Sequence, residues 1–120
     1  MKKIVLSLFV LGCAGSLEAV ASVEQYVNSV EKIRAVYAQD IRGFLRSLDP
    51  QISQFTPEQQ AQYCGINQRY IQAMSEVIQQ NRSSLPRQYA SMNKQDLIKQ
   101  VVESKEMQML AKYKVQCDFQ

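Results

Sequence analysis

Residues 22 to 48, SVEQYVNSVEKIRAVYAQDIRGFLRSL, decide the fold class. Val23, Val27, Val30, Ile33, Tyr37, Ile41, Phe44 and Leu48 recur at spacings of three and four, the period of one helical face. Tyr26, Val36 and Leu45 widen that stripe, while Lys32, Arg34, Asp40, Arg42 and Arg46 fall mostly off it. The spacing predicts one long amphipathic helix with a core-facing side. Gly43 is a weak point, costing about 1 kcal/mol against alanine in a helix interior. Asp49-Pro50 ends the segment, because the residue before proline is pushed out of the helical region.

Downstream, Phe55-Thr56-Pro57-Glu58-Gln59 is a helix start. Thr56 suits the N-cap, Pro57 the first helical position, and Gln59 completes a capping box. The helix it opens is expected to reach about Gln80, with Tyr63, Ile66, Tyr70, Met74, Val77 and Ile78 inward and Cys64 and Ile71 beside them. Gly65 within it is a tolerated cost or a place where another backbone comes close. Asn81 to Ser84 is a polar break, and Leu85-Pro86 opens a short helix toward Ser91. Asn93 is an N-cap, and Met92 and Leu97 occupy the positions of a hydrophobic staple. Leu97, Ile98, Val101 and Val102 form the expected inner face of the helix that follows. Ser104 caps a last turn or two, with Met107, Leu110 and Ala111 inward. From Tyr113 to Phe119 the period changes to alternation, which fits an extended tail docked on the body.

Upstream of residue 22 the pattern is that of a leader. Met1-Lys2-Lys3 is a short basic region, Ile4 to Gly12 an apolar run, and Ala19-Val20-Ala21 a small-x-small cleavage pattern. The run falls well short of the ~20 apolar residues that span a bilayer. Residues 1–21 are therefore read as a signal peptide and residues 22–120 as a single helical domain in the periplasm or outside the cell. A second route exists: Val10-Leu11-Gly12-Cys13 resembles a bacterial lipoprotein cleavage box, which would leave the chain anchored through an acylated Cys13. Cleavage after Ala21 keeps two cysteines, Cys64 and Cys117. An even count in an exported chain suggests a disulfide, and only one pairing is then open; two free buried thiols are the alternative. The loop closed would be long, worth about 4 kcal/mol by chain-entropy arithmetic.

Composition narrows the chemistry. With 46% hydrophobic residues, four glycines and three prolines, the chain is neither disordered nor collagen-like. It has no histidine, which excludes His-based acid–base catalysis, Ser-His and Cys-His dyads, and His-ligated metal. Two distant cysteines match no zinc spacing and no Cys-x-x-Cys redox motif, and there is no glycine-rich phosphate loop. No cofactor, metal or catalytic residue is expected. Two lysines and one glutamate leave with the leader, taking the formal net charge from +3 to +2, which is not the field of a nucleic-acid binder. Glu103 and Glu106, three apart, read as solvated charge. Tyr37, Tyr63 and Tyr70 read as core with the hydroxyl at the edge. Met107, Met109 and Leu110 suit either the core or an adaptable patch for partners. Arg42 and Arg46, four apart on one side of the first helix, are the candidate partner-binding residues, since arginine is enriched at interface hot spots.

Two resemblances bear on function. Phe55-Thr56-x-x-Gln59 resembles the Leu-Thr-x-x-Gln signature of the Spy and CpxP family of periplasmic chaperones, with Phe in place of Leu and no second copy, since Thr56 is the only threonine. The leader, the helical body and the widely spaced cysteine pair, with Tyr113, Cys117 and Asp118 near the end, are similar in layout to the Spackle family of phage superinfection-exclusion proteins. That resemblance implies a protein that acts in the periplasm as an inhibitor of a phage tail lysozyme. HdeA-type acid chaperones and immunity proteins against secreted amidases share the single long-range disulfide. The expectation is an all-α fold, a small compact bundle of four to five helices with one long-range disulfide. Its expected function is that of an exported, non-enzymatic binding protein of the cell envelope, of inhibitor or immunity type. A periplasmic stress chaperone is the alternative.

Overall fold

The apolar stripe on residues 22–48 needs a partner, and the capped segment after Thr56 supplies it. The computed structural model describes the backbone of residues 2–120 and the side chains of residues 23–120. The side chains of the expected leader, residues 1–21, and of Cys13 lie outside that range. Helix α1 (Lys2–Ser47) and helix α2 (Pro57–Asn81) pack antiparallel. Tyr37 meets Tyr70 with ring centroids 4.8 Å apart, and Phe44 meets Tyr63 at 5.8 Å. Three short helices follow: α3 (Arg87–Ala90), α4 (Lys94–Val102) and α5 (Lys105–Leu110). Single 3-10 turns, Arg82–Ser84 and Ala111–Tyr113, join them to what comes before and after. Among the described residues there is no strand, and no helix is long and apolar enough to cross a membrane. The fold is all-α, as expected.

Local chemistry sets the boundaries. Thr56 and Gln59 bond reciprocally at the start of α2, and Asn93 and Asp96 do the same at the start of α4. The Ser104 hydroxyl accepts from the Met107 amide at the start of α5. Each such cap satisfies amides that the helix itself leaves open, worth typically about 1 kcal/mol. Met92 and Leu97 both pack at the core, completing the staple at α4.

The tail is extended, with Val115 buried, Cys117 and Phe119 half-buried, and Lys114, Gln116 and Asp118 exposed. It lies along one face of α2 on three successive anchors. Gln60 Oε1 accepts from the Gln116 amide at 3.4 Å, Cys64 is bonded to Cys117 with Cα atoms 5.5 Å apart, and the Gln68 side chain exchanges two hydrogen bonds with the Gln120 backbone. Residues 60, 64 and 68 are one helical turn apart, so they share a face.

The apolar stripe is narrower than its sequence suggests. Val23 and Val27 are exposed, because α2 and its 3-10 turn give little cover to the first turns of this segment. Val36 and Leu45 lie on the two flanks of α1, beyond the reach of the single helix packed against it. Val102 is exposed at the end of α4, and Ala111 is exposed where α5 tightens into a 3-10 turn. The core that remains centres on Ile41, Phe44, Phe55, Tyr63, Ile71 and Ile78.

Candidate functional site

The polar groups of the interior are occupied. Tyr63 is 1% exposed and donates its hydroxyl to Glu106 Oε1 at 2.6 Å. Tyr37 donates to Asn67 Oδ1 at 2.9 Å and reaches the same Glu106 oxygen at 3.4 Å. Asn67 is 1% exposed and donates its amide to the Tyr63 carbonyl at 3.1 Å. No buried side-chain nitrogen or oxygen is left without a partner among the described residues. These hydroxyls therefore do not sit at an edge in water; they close an internal network that ties α5 to α1 and α2. Glu106 is correspondingly a half-buried acceptor rather than solvated charge, and Glu103 is not its helical neighbour, because Glu103 caps the end of α4 and α5 starts anew after Ser104. Burial, followed by the interaction with Glu106, holds both phenols well above their ordinary value of 10.0, so neither is a ready proton donor or nucleophile at neutral pH. Among the described residues no three metal-ligating side chains come together.

The outer face of α1 offers more. Arg42 and Arg46 are both exposed and stand one above the other, one turn apart. Arg42 Nε donates only to the Ala38 carbonyl of its own helix, at 3.3 Å. Neither guanidinium meets a carboxylate among the described residues, where the single ion pair is Arg69–Asp40, at 3.9 Å. The two arginines form a crest with a depression on each flank.

On one flank, Leu45, Leu48, Ile52, Met109 and Leu110 line an apolar hollow of about 380 Å³ rimmed by Asp49 and Lys112. Leu45 is 47% exposed and Met109 64%. The other flank is an open groove between α1 and α2. Its floor near Gly43 carries Phe44, Ala61 and Gly65, and it deepens toward Ile33, Val36 and Ala73.

The structure thus brings together sequence features that looked unrelated. Leu45, which lies between Arg42 and Arg46 in the chain, and Met109 of the methionine-rich segment of α5 line one surface. Of the segment's three apolar residues, Met109 is exposed, Met107 is core and Leu110 is half-buried. The groove residues Gly43, Gly65 and Arg69 were not legible as a site, because what makes them one is the juxtaposition of two helices.

No protein-family model matches the chain, and no curated protein or solved structure matches it.

Proposed function

We propose that the chain is an exported, non-enzymatic binding protein of the cell envelope, of inhibitor or immunity type, directed at a periplasmic or cell-wall-degrading enzyme. The observation that carries the reading is the pair of exposed arginines without carboxylate partners among the described residues, with an uncovered apolar hollow on one flank and the open groove between α1 and α2 on the other. An apolar patch beside arginine is the composition of an interface centre. Enzymes that cleave glycan chains commonly work through a pair of carboxylates, and two guanidinium groups one helical turn apart are suited to cover such a pair. The net charge of +2 after loss of the leader supplies little long-range attraction toward a basic hydrolase, so recognition on this reading is local and short-range.

The test is direct. The protein, recovered in oxidised form from expression of its full coding sequence, is assayed against a panel of muramidases and amidases. At least one enzyme is expected to lose activity stoichiometrically. Arg42→Glu with Arg46→Glu is expected to weaken that inhibition about a hundredfold. Full activity of every enzyme in the panel removes the reading.

The exposed Leu45 and Met109 favour a second reading, a stress chaperone that holds unfolded clients on an apolar surface. Its signature is suppressed aggregation of several unrelated unfolded proteins, lost in Met109→Asp.

A further inference from the structure

The groove between α1 and α2 contains two joined hollows that share Asp40, Ile66 and Arg69. The deeper one, about 260 Å³, is walled by Ile33, Val36, Tyr70 and Ala73. Val36 stands at its lip, 57% exposed. Pockets that enclose free small ligands usually measure about 300–1,000 Å³. This hollow falls below that range and has the size for one aromatic or branched aliphatic side chain. The shallower hollow, about 450 Å³, carries Gly43 on one bank and Gly65 on the other.

Neither glycine is required by the chain itself. A methyl group at Gly43 would meet nothing within 4 Å, and one at Gly65 would meet only the flexible end of Arg69, at 3.7 Å. Both banks are therefore open to the close approach of another backbone.

Charge selects the occupant. Lys32 and Arg69 line the groove, and among its lining residues the one carboxylate is that of Asp40. The bond of Asp40 to Arg69 is long, at 3.9 Å, with Arg69 exposed and Asp40 half-buried, and such a pair near the surface contributes little. A second copy of this face would bring the same cations together. A flat membrane surface cannot follow apolar atoms recessed between two helices.

We infer that this groove receives an acidic peptide segment of a protein partner, which seats one apolar side chain in the hollow beside Val36 and sets its neighbouring carboxylates against Arg69 and Lys32. The inference rests on the binding-protein reading and names the chemistry of the partner.

The isotope-labelled, oxidised protein is titrated by NMR with the tripeptide acetyl-Asp-Phe-Glu-amide. Acetyl-Asp-Ala-Glu-amide and acetyl-Lys-Phe-Lys-amide serve as controls. Saturable shifts are expected at Ile33, Val36, Gly43, Gly65, Arg69 and Ala73, with both controls at least tenfold weaker. Gly43→Leu fills the groove from a position with free space, so a folded protein with at least tenfold weaker binding is expected. Its unchanged or raised melting temperature confirms the fold. Arg69→Glu is expected to reverse the preference between the acidic and basic peptides.

Shifts confined to another face, or equal binding of the lysine peptide, overturn the inference. So does binding to phosphatidylglycerol vesicles, or a concentration-dependent dimer, that Gly43→Leu abolishes. The two levels separate cleanly. Inhibition of a hydrolase with no peptide in the groove removes this inference and leaves the inhibitor reading. The peptide seated as described with no hydrolase inhibited does the reverse.

Discussion

At Tyr63 a phenol with 1% exposure gives its proton to a half-buried carboxylate, and two consequences follow. The first is energetic. Tyr63→Phe leaves the Glu106 oxygen short of its nearest donor, and an urea unfolding curve is expected to show a loss of about 1–3 kcal/mol. The second concerns pH. Burial and then Glu106 raise the folded Tyr63 and Tyr37 well above the ordinary 10.0, so the folded chain holds these protons more tightly than the unfolded one. Stability from this source is complete below pH 10 and is lost as pH climbs through the folded values. The urea midpoint should stay level to about pH 9 and fall beyond it, and the fall should be shallower in Tyr63→Phe. The mid-helix glycines give a prediction of opposite sign. Gly43→Ala and Gly65→Ala are each expected to stabilise by roughly 0.5–1 kcal/mol, read as higher urea midpoints, because the added methyl groups find space in the fold.

At the scale of elements, the caps do the delimiting, and they are where the sequence was most legible. Thr56 with Gln59, Asn93, and Ser104 each specify a helix start within four residues, and the structure begins α2, α4 and α5 one residue after each. Such signals are local in chain and in space, so no tertiary information is needed to read them. Thr56→Ala should therefore cost about 1 kcal/mol in the urea curve, with the far-UV spectrum retained. The width of the α1 stripe was not legible in the same way. Val23, Val27, Val36 and Leu45 have the right period, but whether a flank is covered depends on how many helices pack there, and α1 has one main neighbour. The role of Glu106 was hidden for a related reason. Its partners are 69 and 43 positions away, at Tyr37 and Tyr63, and no short-range pattern encodes an acceptor for distant hydroxyls. The groove belongs to the same class, since Gly43 and Gly65 acquire meaning only when two antiparallel helices set them opposite one another.

On the scale of the whole molecule, the cysteines were legible through the expectation of a cleaved leader, which would leave two of them and one pairing, and the bond between Cys64 and Cys117 spans 53 positions. Replacing both with serine is expected to lower stability by up to about 4 kcal/mol, as a drop in melting temperature that a reducing agent reproduces in the native protein. The bond also gives the covalent chain the outline of a lasso. Residues 64 to 117 form a closed circuit containing most of α2 and all of α3, α4 and α5, while α1 is an open arm joined to the circuit at its edge. A protease that cuts once near Arg82 or Arg87 opens the circuit without releasing a fragment, so the nicked molecule keeps its full mass plus one water until it is reduced. A single cut near Ser53, in the arm's connection, frees α1 whole. The groove lined by Lys32 and Arg69 runs along the seam between arm and circuit, so its two banks can separate without any strain on the sulfur–sulfur bond.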